Sequence, residues 1–417
     1  MPAQIRVIHY YVCLVAAGGK EWKVFMKLGN QDVEQLDENG EVVCDKDISY
    51  SPVELRQIVK DHYNIVGEDN GCLIGEYEGV RYACYLKNIT YLGTPHPKYK
   101  KRVQLGDNFI EKYQYFEAKN IKMIILGIYK YHDNLFFVDF DTTNYAQNKS
   151  HNSSAHVLIS DFQEAFDRGF YSKVDVRNNK ISVFNKDNVL RFLGIKFKGY
   201  KDPKLMVFEE LDTFFDSIDT YWDGIDCYQE MIDNDFNQKF QPEWPGFYLE
   251  YLLSSYLKEN DQTGVIQYKQ NKKKDDIDLD LEFPLIPAFG DLKCHSIGGS
   301  AIPGNDYETI MKVIEDYAIY YVVCDHDTIK DKDMGYETTK FWNTAQNKDD
   351  LMSYHSKMKG AVQLKNYMVL EINKYNARYL AEFQKGFVNS NGKPRRSKIM
   401  IKKKDLPNFV VYKHELK

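Results

Sequence analysis

Apolar residues at Ile277, Leu279, Leu281 and Phe283 alternate with Asp278, Asp280 and Glu282. A period of two predicts a strand with one buried face and one acidic face. Residues 288–295 predict a second strand, and Asp291 and Lys293, two apart, share one of its faces. Pro284 to Pro287 predict a turn between the two strands, which lays their acidic faces side by side. In hairpin geometry either Asp280 pairs with Asp291 or Asp278 pairs with Lys293. The surrounding pattern predicts a helix over 247–257, a strand over 265–269, a helix over 307–316 that Asp306 caps, and a buried strand over 319–325. The order is helix, three strands, helix, strand.

The first two hundred residues read differently. β-branched and aromatic runs at 6–15, 21–29, 81–92, 122–131, 134–140 and 180–184 are separated by Asn, Asp and Gly, which predicts a β-rich or α+β domain. An acidic, aromatic segment over 208–240 has helical spacing, and Pro242 and Pro245 then interrupt the chain. The expected division is 1–240, with 208–240 as a helical bridge, followed by 241–417. The fold class is mixed α/β.

Composition narrows the class. A chain of 417 residues that is 43% hydrophobic has ample material for two cores. The formal net charge of −6 gives no global basic signal, although an enzyme whose carboxylates hold a metal need not be basic overall. Seven cysteines without a C-x-x-C pair read as reduced thiols of a cytoplasmic protein. The opening apolar run is too short and too polar for a signal peptide or membrane span. Neither a Walker A sequence nor a G-x-G-x-x-G after a strand is present, so ATP-driven chemistry is not expected.

Carboxylates clustered on adjacent strands repel one another unless a divalent cation with oxygen ligands lies between them. An acid, a short spacer, then Asp291-Leu292-Lys293 resembles the motif of the PD-(D/E)xK nuclease superfamily, with Ile277 where the motif name has proline. The resemblance is specific over about 240–330, suggestive to 417, and does not reach residues 1–200. It implies an αβββαβ restriction-endonuclease-like core. It also implies that Asp278 or its rival Asp280, Asp291 and the Leu292 carbonyl hold Mg²⁺, that Lys293 orients the attacking water, and that Glu250 on the preceding helix assists, through a second metal. An acidic strand pair tied by surface salt bridges is the simpler use of the same residues. His295 falls on the face of Lys293, where a structural role is the commoner one for a lone histidine.

Seven basic residues between 393 and 404, without an acid, form a local positive patch. Asn391-Gly392 predicts a turn, hence a basic C-terminal hairpin, with Lys393, Arg395, Arg396 and Lys398 as candidate DNA contacts. Lys98 to Arg102 form a second basic run, expected in a loop.

Together these readings lead to a Mg²⁺-dependent, type II site-specific endonuclease that hydrolyses double-stranded DNA. A homodimer is expected because two sites cut two strands. A cognate DNA methyltransferase is expected in the same restriction-modification system. The rivals are a modification-dependent or repair nuclease, and an inactive DNA-binding protein of the same fold.

Overall fold

The computed structural model describes residues 10–15, 21–147, 154–236, 241–260, 264–269, 279–335, 337–345, 357–388, 392 and 396–417. It is a mixed α/β structure in two compact units. One comprises Met1–Lys173 and Asn179–Lys201, the other Val174–Asn178 and Asp202–Lys417.

In the first unit, β1 (Tyr10–Val15), β2 (Glu21–Leu36) and β3 (Val42–Tyr50) form an antiparallel sheet. Helix α1 (Pro52–His62) follows, closed by a capping box in which Ser51 and Glu54 satisfy each other's backbone amides. Then come β4 (Ile65–Asp69), β5 (Cys72–Tyr77), β6 (Val80–Asn88), β7 (Thr90–Tyr91), β8 (Lys100–Gln104), α2 (Phe109–Ala118), β9 (Lys122–Tyr131), β10 (Asn134–Phe140), α3 (Thr142–Gln147), β11 (Ser154–Leu158), α4 (Ile159–Arg168), β12 (Phe170–Val174), β13 (Lys180–Asn185) and α5 (Val189–Lys198). A seven-stranded sheet runs β12-β13-β10-β9-β6-β5-β4. Its β6 and β9 are parallel, since the chain between them crosses back through α2.

The central strand β9 is apolar on both faces. Ile125 and Tyr129 join Phe109 and Phe116 of α2 and Phe162 of α4, while Ile124, Leu126 and Ile128 join Val59 of α1 and Phe192 of α5. Helices thus cover both faces, which explains why β9 reads as one continuous apolar run.

The basic run 98–102 is a loop only at its start, where residues 98–99 form a turn. Residues 100–104 are strand β8, and Lys101 is fully buried, bonding Asp47 at 2.9 Å and Gln35 at 3.1 Å. Strand alternation turned one lysine of the run inward, and Asp47 compensates its charge.

The second unit begins with α6 (Pro203–Ser217), β14 (Tyr221–Asp223), α7 (Gly224–Asp233) and α8 (Trp244–Glu259). The segment 208–240, placed with the first half by its sequence, therefore lies in the second unit, where Phe208, Leu211, Phe215, Cys227 and Met231 share a core with α8. Next are β15 (Gln267–Tyr268), β16 (Leu281–Phe283), β17 (Ala288–Ser296), β18 (Ala301–Asp306), α9 (Tyr307–Val313), β19 (Ala318–Lys330), α10 (Glu337–Ala345), β20 (Lys359–Ile372), β21 (Ala381–Phe383), β22 (Lys398–Lys402) and β23 (Val410–Glu415). The main sheet runs β14-β20-β19-β17-β16-β15, with β23 also on β20. Strands β15, β16 and β17 form an antiparallel meander, and β17 pairs in parallel with β19 after the α9 crossover.

Leu292, Tyr320, Val322 and Cys324 face α6, α7 and α8; Ile319, Tyr321 and Val323 face the core beneath α9 and the small β18-β22-β21 sheet. Asp306 accepts from Thr309 N at 2.9 Å and caps α9. Strands β18 and β20 are further elements that the sequence reading leaves unassigned. The acidic strand is shorter than its alternation suggests. Leu281 and Phe283 enter the core beneath α8, but Leu279 enters the opposite core, so the chain changes face at Asp280.

No helix among the described residues is long and apolar enough to cross a membrane. Cys44, Cys72, Cys84, Cys227, Cys294 and Cys324 are free thiols.

Removing Lys101 strands Asp47 in a largely buried setting, a loss of about 3–5 kcal/mol. Lys101→Ala should therefore lower the denaturant midpoint strongly, whereas Lys100→Ala, at a partly exposed position, should shift stability by no more than about 0.5 kcal/mol. Equal and small effects would show that the Lys101–Asp47 pair is not structural.

Candidate active site

The turn at 284–287 sets the hairpin register, pairing Phe283 with Ala288 and Leu281 with Gly290. The pairing ends at Leu281 and Gly290, so Asp280 and Asp291 each lie one position beyond the last paired residues. Asp278, the preferred first acid of the sequence reading, lies outside the described residues. Glu282 turns away to an exposed ion pair with Lys269.

Asp291 is buried at the centre of the arrangement. Its Oδ2 accepts from the Lys293 ammonium and from Asn305 Nδ2, the latter at 3.0 Å. Asn305 is itself held by Tyr321, whose hydroxyl donates to Asn305 Oδ1 at 2.8 Å and accepts from Asn305 N at 3.0 Å. Tyr321 is the register partner of Asp291 on β19, so the parallel pairing closes a loop from strand to strand through Asn305. Gly304 makes this possible: a Cβ there would come within 2.7 Å of the Tyr321 hydroxyl and 2.5 Å of Ile399. The Lys293 ammonium lies 5.5 Å from the Tyr321 ring centroid, near enough for a cation–π contact. Leu292 points its side chain into the opposite core, so its carbonyl is the part of it that can serve as a ligand.

Glu250 comes from α8, which packs through Leu249 and Leu253. Its Oε2 accepts from the Tyr268 hydroxyl at 3.4 Å. Burial pushes the Glu250 carboxyl up to about 8, and Asp291 and Asp280 push in the same direction, partly offset by Lys293 and the Tyr268 bond. The three acids therefore feel one another although they come from a helix, a strand end and a neighbouring strand. Among the described residues, no group of three His, Cys, Asp or Glu side chains is gathered closely enough to hold a metal ion. The carboxylate repulsion centred on Glu250 is of the kind that a divalent cation with oxygen ligands relieves.

His295 stays on the Lys293 face. Its Nδ1 lies 2.9 Å from Asp325 Oδ1, and its buried Nε2 has no hydrogen-bond partner among the described residues. A Cβ at position 299 would meet Nε2 at 2.5 Å, so the Gly298-Gly299-Ser300 loop packs directly on the imidazole.

Sequence reasoning missed Asn305, Tyr321 and Tyr268. Asn305 lies between Gly304 and the Asp306 cap with no local pattern to single it out, and Tyr321 is hidden in an apolar run where nothing distinguishes a polar hydroxyl from core aromatic surface. Of the basic tail, Lys393 and Arg395 lie outside the described residues, while Arg396 and Lys398 are exposed, Lys398 on β22 opposite Phe383 and Asp306.

Residues 80–193 match the family described as methylase-associated X1, a little over a quarter of the chain, and all but residues 174–178 of that match belong to the first unit. No curated protein and no solved structure matches the chain.

A carboxyl at about 8 in the folded state and near 4.3 when unfolded makes stability fall as pH rises between those values, because the unfolded chain releases its proton first. Glu250→Gln removes that loss. Its stability relative to wild type, from urea unfolding, should rise by a few kcal/mol between pH 5 and pH 8.5; a difference independent of pH would mean that Glu250 titrates normally.

Proposed function

We propose that the protein is a Mg²⁺-dependent endonuclease of the PD-(D/E)xK type, cutting double-stranded DNA within a restriction-modification system. The observation that carries this reading is the convergence of Glu250, Asp280 and Asp291 with Lys293 on a meander that returns through a parallel strand. An acidic strand pair tied by surface salt bridges accounts poorly for a carboxyl held near 8 and an Asp291 fixed by a buried asparagine.

Asp291, Asp280 or Asp278, and the Leu292 carbonyl would hold the ion, with Glu250 as an added carboxylate. The bound ion would supply Lewis acidity and charge neutralisation at the scissile phosphate. Asn305 fixes the rotamer of Asp291, so its oxygens are oriented before substrate arrives. The Lys293 ammonium, held between Asp291 and the Tyr321 ring, is placed to orient a water and to balance charge developing on phosphate oxygens.

The methylase-associated match in the first unit supports the restriction-modification setting and a role for that unit in target recognition. Sequence-specific cleavage by a homodimer, with a cognate methyltransferase in the same system, completes the reading.

Incubation of the protein with unmodified and methylated phage DNA tests it. Discrete fragments should form with Mg²⁺ and not with EDTA, and Lys293→Ala and Asp291→Asn should each slow cutting by about a thousandfold, of the order seen when a principal electrostatic group is removed. Full cutting in EDTA, or by Lys293→Ala, would overturn the proposal. Preference for methylated DNA would make it a modification-dependent enzyme.

A further inference from the structure

A cavity of about 330 Å³ opens in the first unit. Its size falls within the range of ligand sites, ~300–1,000 Å³. Arg56 from α1, Lys87 from β6 and Lys112 from α2 line it, and no Asp or Glu is among its lining residues.

Two of these cations are held in place by one turn. Arg56 Nη2 donates to the Gly71 carbonyl at 2.8 Å, and Lys112 Nζ donates to the Asn70 carbonyl at 2.6 Å. Asn70 and Gly71 join β4 to β5 with φ of 42° and 73°, the left-handed backbone that a two-residue hairpin turn requires. A carbonyl positions an ammonium without neutralising it. Arg56 also pairs with Glu68 at 3.0 Å, but among the described residues neither Lys87 nor Lys112 is paired with a carboxylate. Both lysines are half-buried.

The neutral polar groups of the wall are turned to one another. Asn88 exchanges two 2.8 Å hydrogen bonds with the Tyr50 backbone, and the Tyr85 hydroxyl accepts from Gly106 N at 3.1 Å. The charged side chains that line the cavity, Arg56, Lys87 and Lys112, are all positive, in a chain whose net charge is −6, and the Lys87 ammonium lies 5.0 Å from the Tyr85 ring centroid. The matching occupant is an anion with several acceptor oxygens, large enough to use more than one cation.

We infer that this cavity binds a phosphate ester, through Lys87 and Lys112 with Arg56 behind them. The phosphate belongs either to a free nucleotide or to the DNA backbone. It is a second, metal-independent site, separate from the carboxylates of the second unit.

Calorimetric titration of the full chain in EDTA with deoxyadenosine 5′-monophosphate, with deoxyadenosine, and with a short DNA duplex tests the inference. Cleavage is off in EDTA, so failure of the nuclease reading and failure of this site are separate outcomes. Lys87→Ala/Lys112→Ala should weaken the phosphate-bearing probe about tenfold or more, and Lys87→Arg/Lys112→Arg should restore it. Thermal unfolding of each variant monitors the fold, and Lys87→Ala alone repeats the test at a lysine that no backbone carbonyl holds. Loss of mononucleotide binding identifies a free-nucleotide site. Loss confined to the duplex, with the salt slope reduced by about one per lysine, identifies backbone contact. Unchanged affinity for both probes in the double alanine variant, or a nucleoside that binds as tightly as the nucleotide, would overturn it.

Discussion

The register of β17 against β19 is the constraint on which the second unit's site depends. Because Asp291 lies opposite Tyr321, the tyrosine hydroxyl can fix Asn305, and Asn305 can fix Asp291. A slip of one residue would send Asp291 and Lys293 into the core beneath α8 and bring Leu292 out. The register is secured by burial on both sides, since Tyr320 and Val322 fill one core while Tyr321 and Val323 fill the other. The polar network therefore rests on apolar packing, which holds it more firmly than its own hydrogen bonds would.

Electrostatics then sets the character of the site. Folding brings Glu250 toward Asp280 and Asp291 and raises its carboxyl to about 8, an arrangement that works against stability around neutral pH. Clustered groups with perturbed titration are common where chemistry is done, because packing alone gives no reason to assemble them. Lys293 offsets part of the repulsion and bonds Asp291 directly. The first unit carries a complementary feature in its cation-lined cavity.

Much of this was legible in the sequence. The turn at 284–287, the antiparallel pairing of the strands on either side of it, the Asp306 cap and the apolar β19 all follow from local pattern, and local pattern decides them in the structure. The rest was decided at long range. Lys101 reads as surface charge because its partner Asp47 is 54 positions away. Leu279 leaves the alternation of its strand because a second core competes for it. Strand β20 carries Gln363, Lys365 and Asn366 within an apolar run and shifts register opposite Asp325 and His326, so neither period holds along its length. Glu250 was identifiable by position but not by environment, since its burial depends on how α8 lies against β17.

The central claim is that the acids around Asp291 form a divalent-cation site. Titration of the protein with Mn²⁺, followed by the paramagnetic signal of the free ion, tests it without any substrate. The account predicts saturable binding that Asp291→Asn abolishes and that Asp306→Asn, a change at the α9 cap, leaves intact. Absence of saturable binding, or binding unaltered by Asp291→Asn, would contradict it.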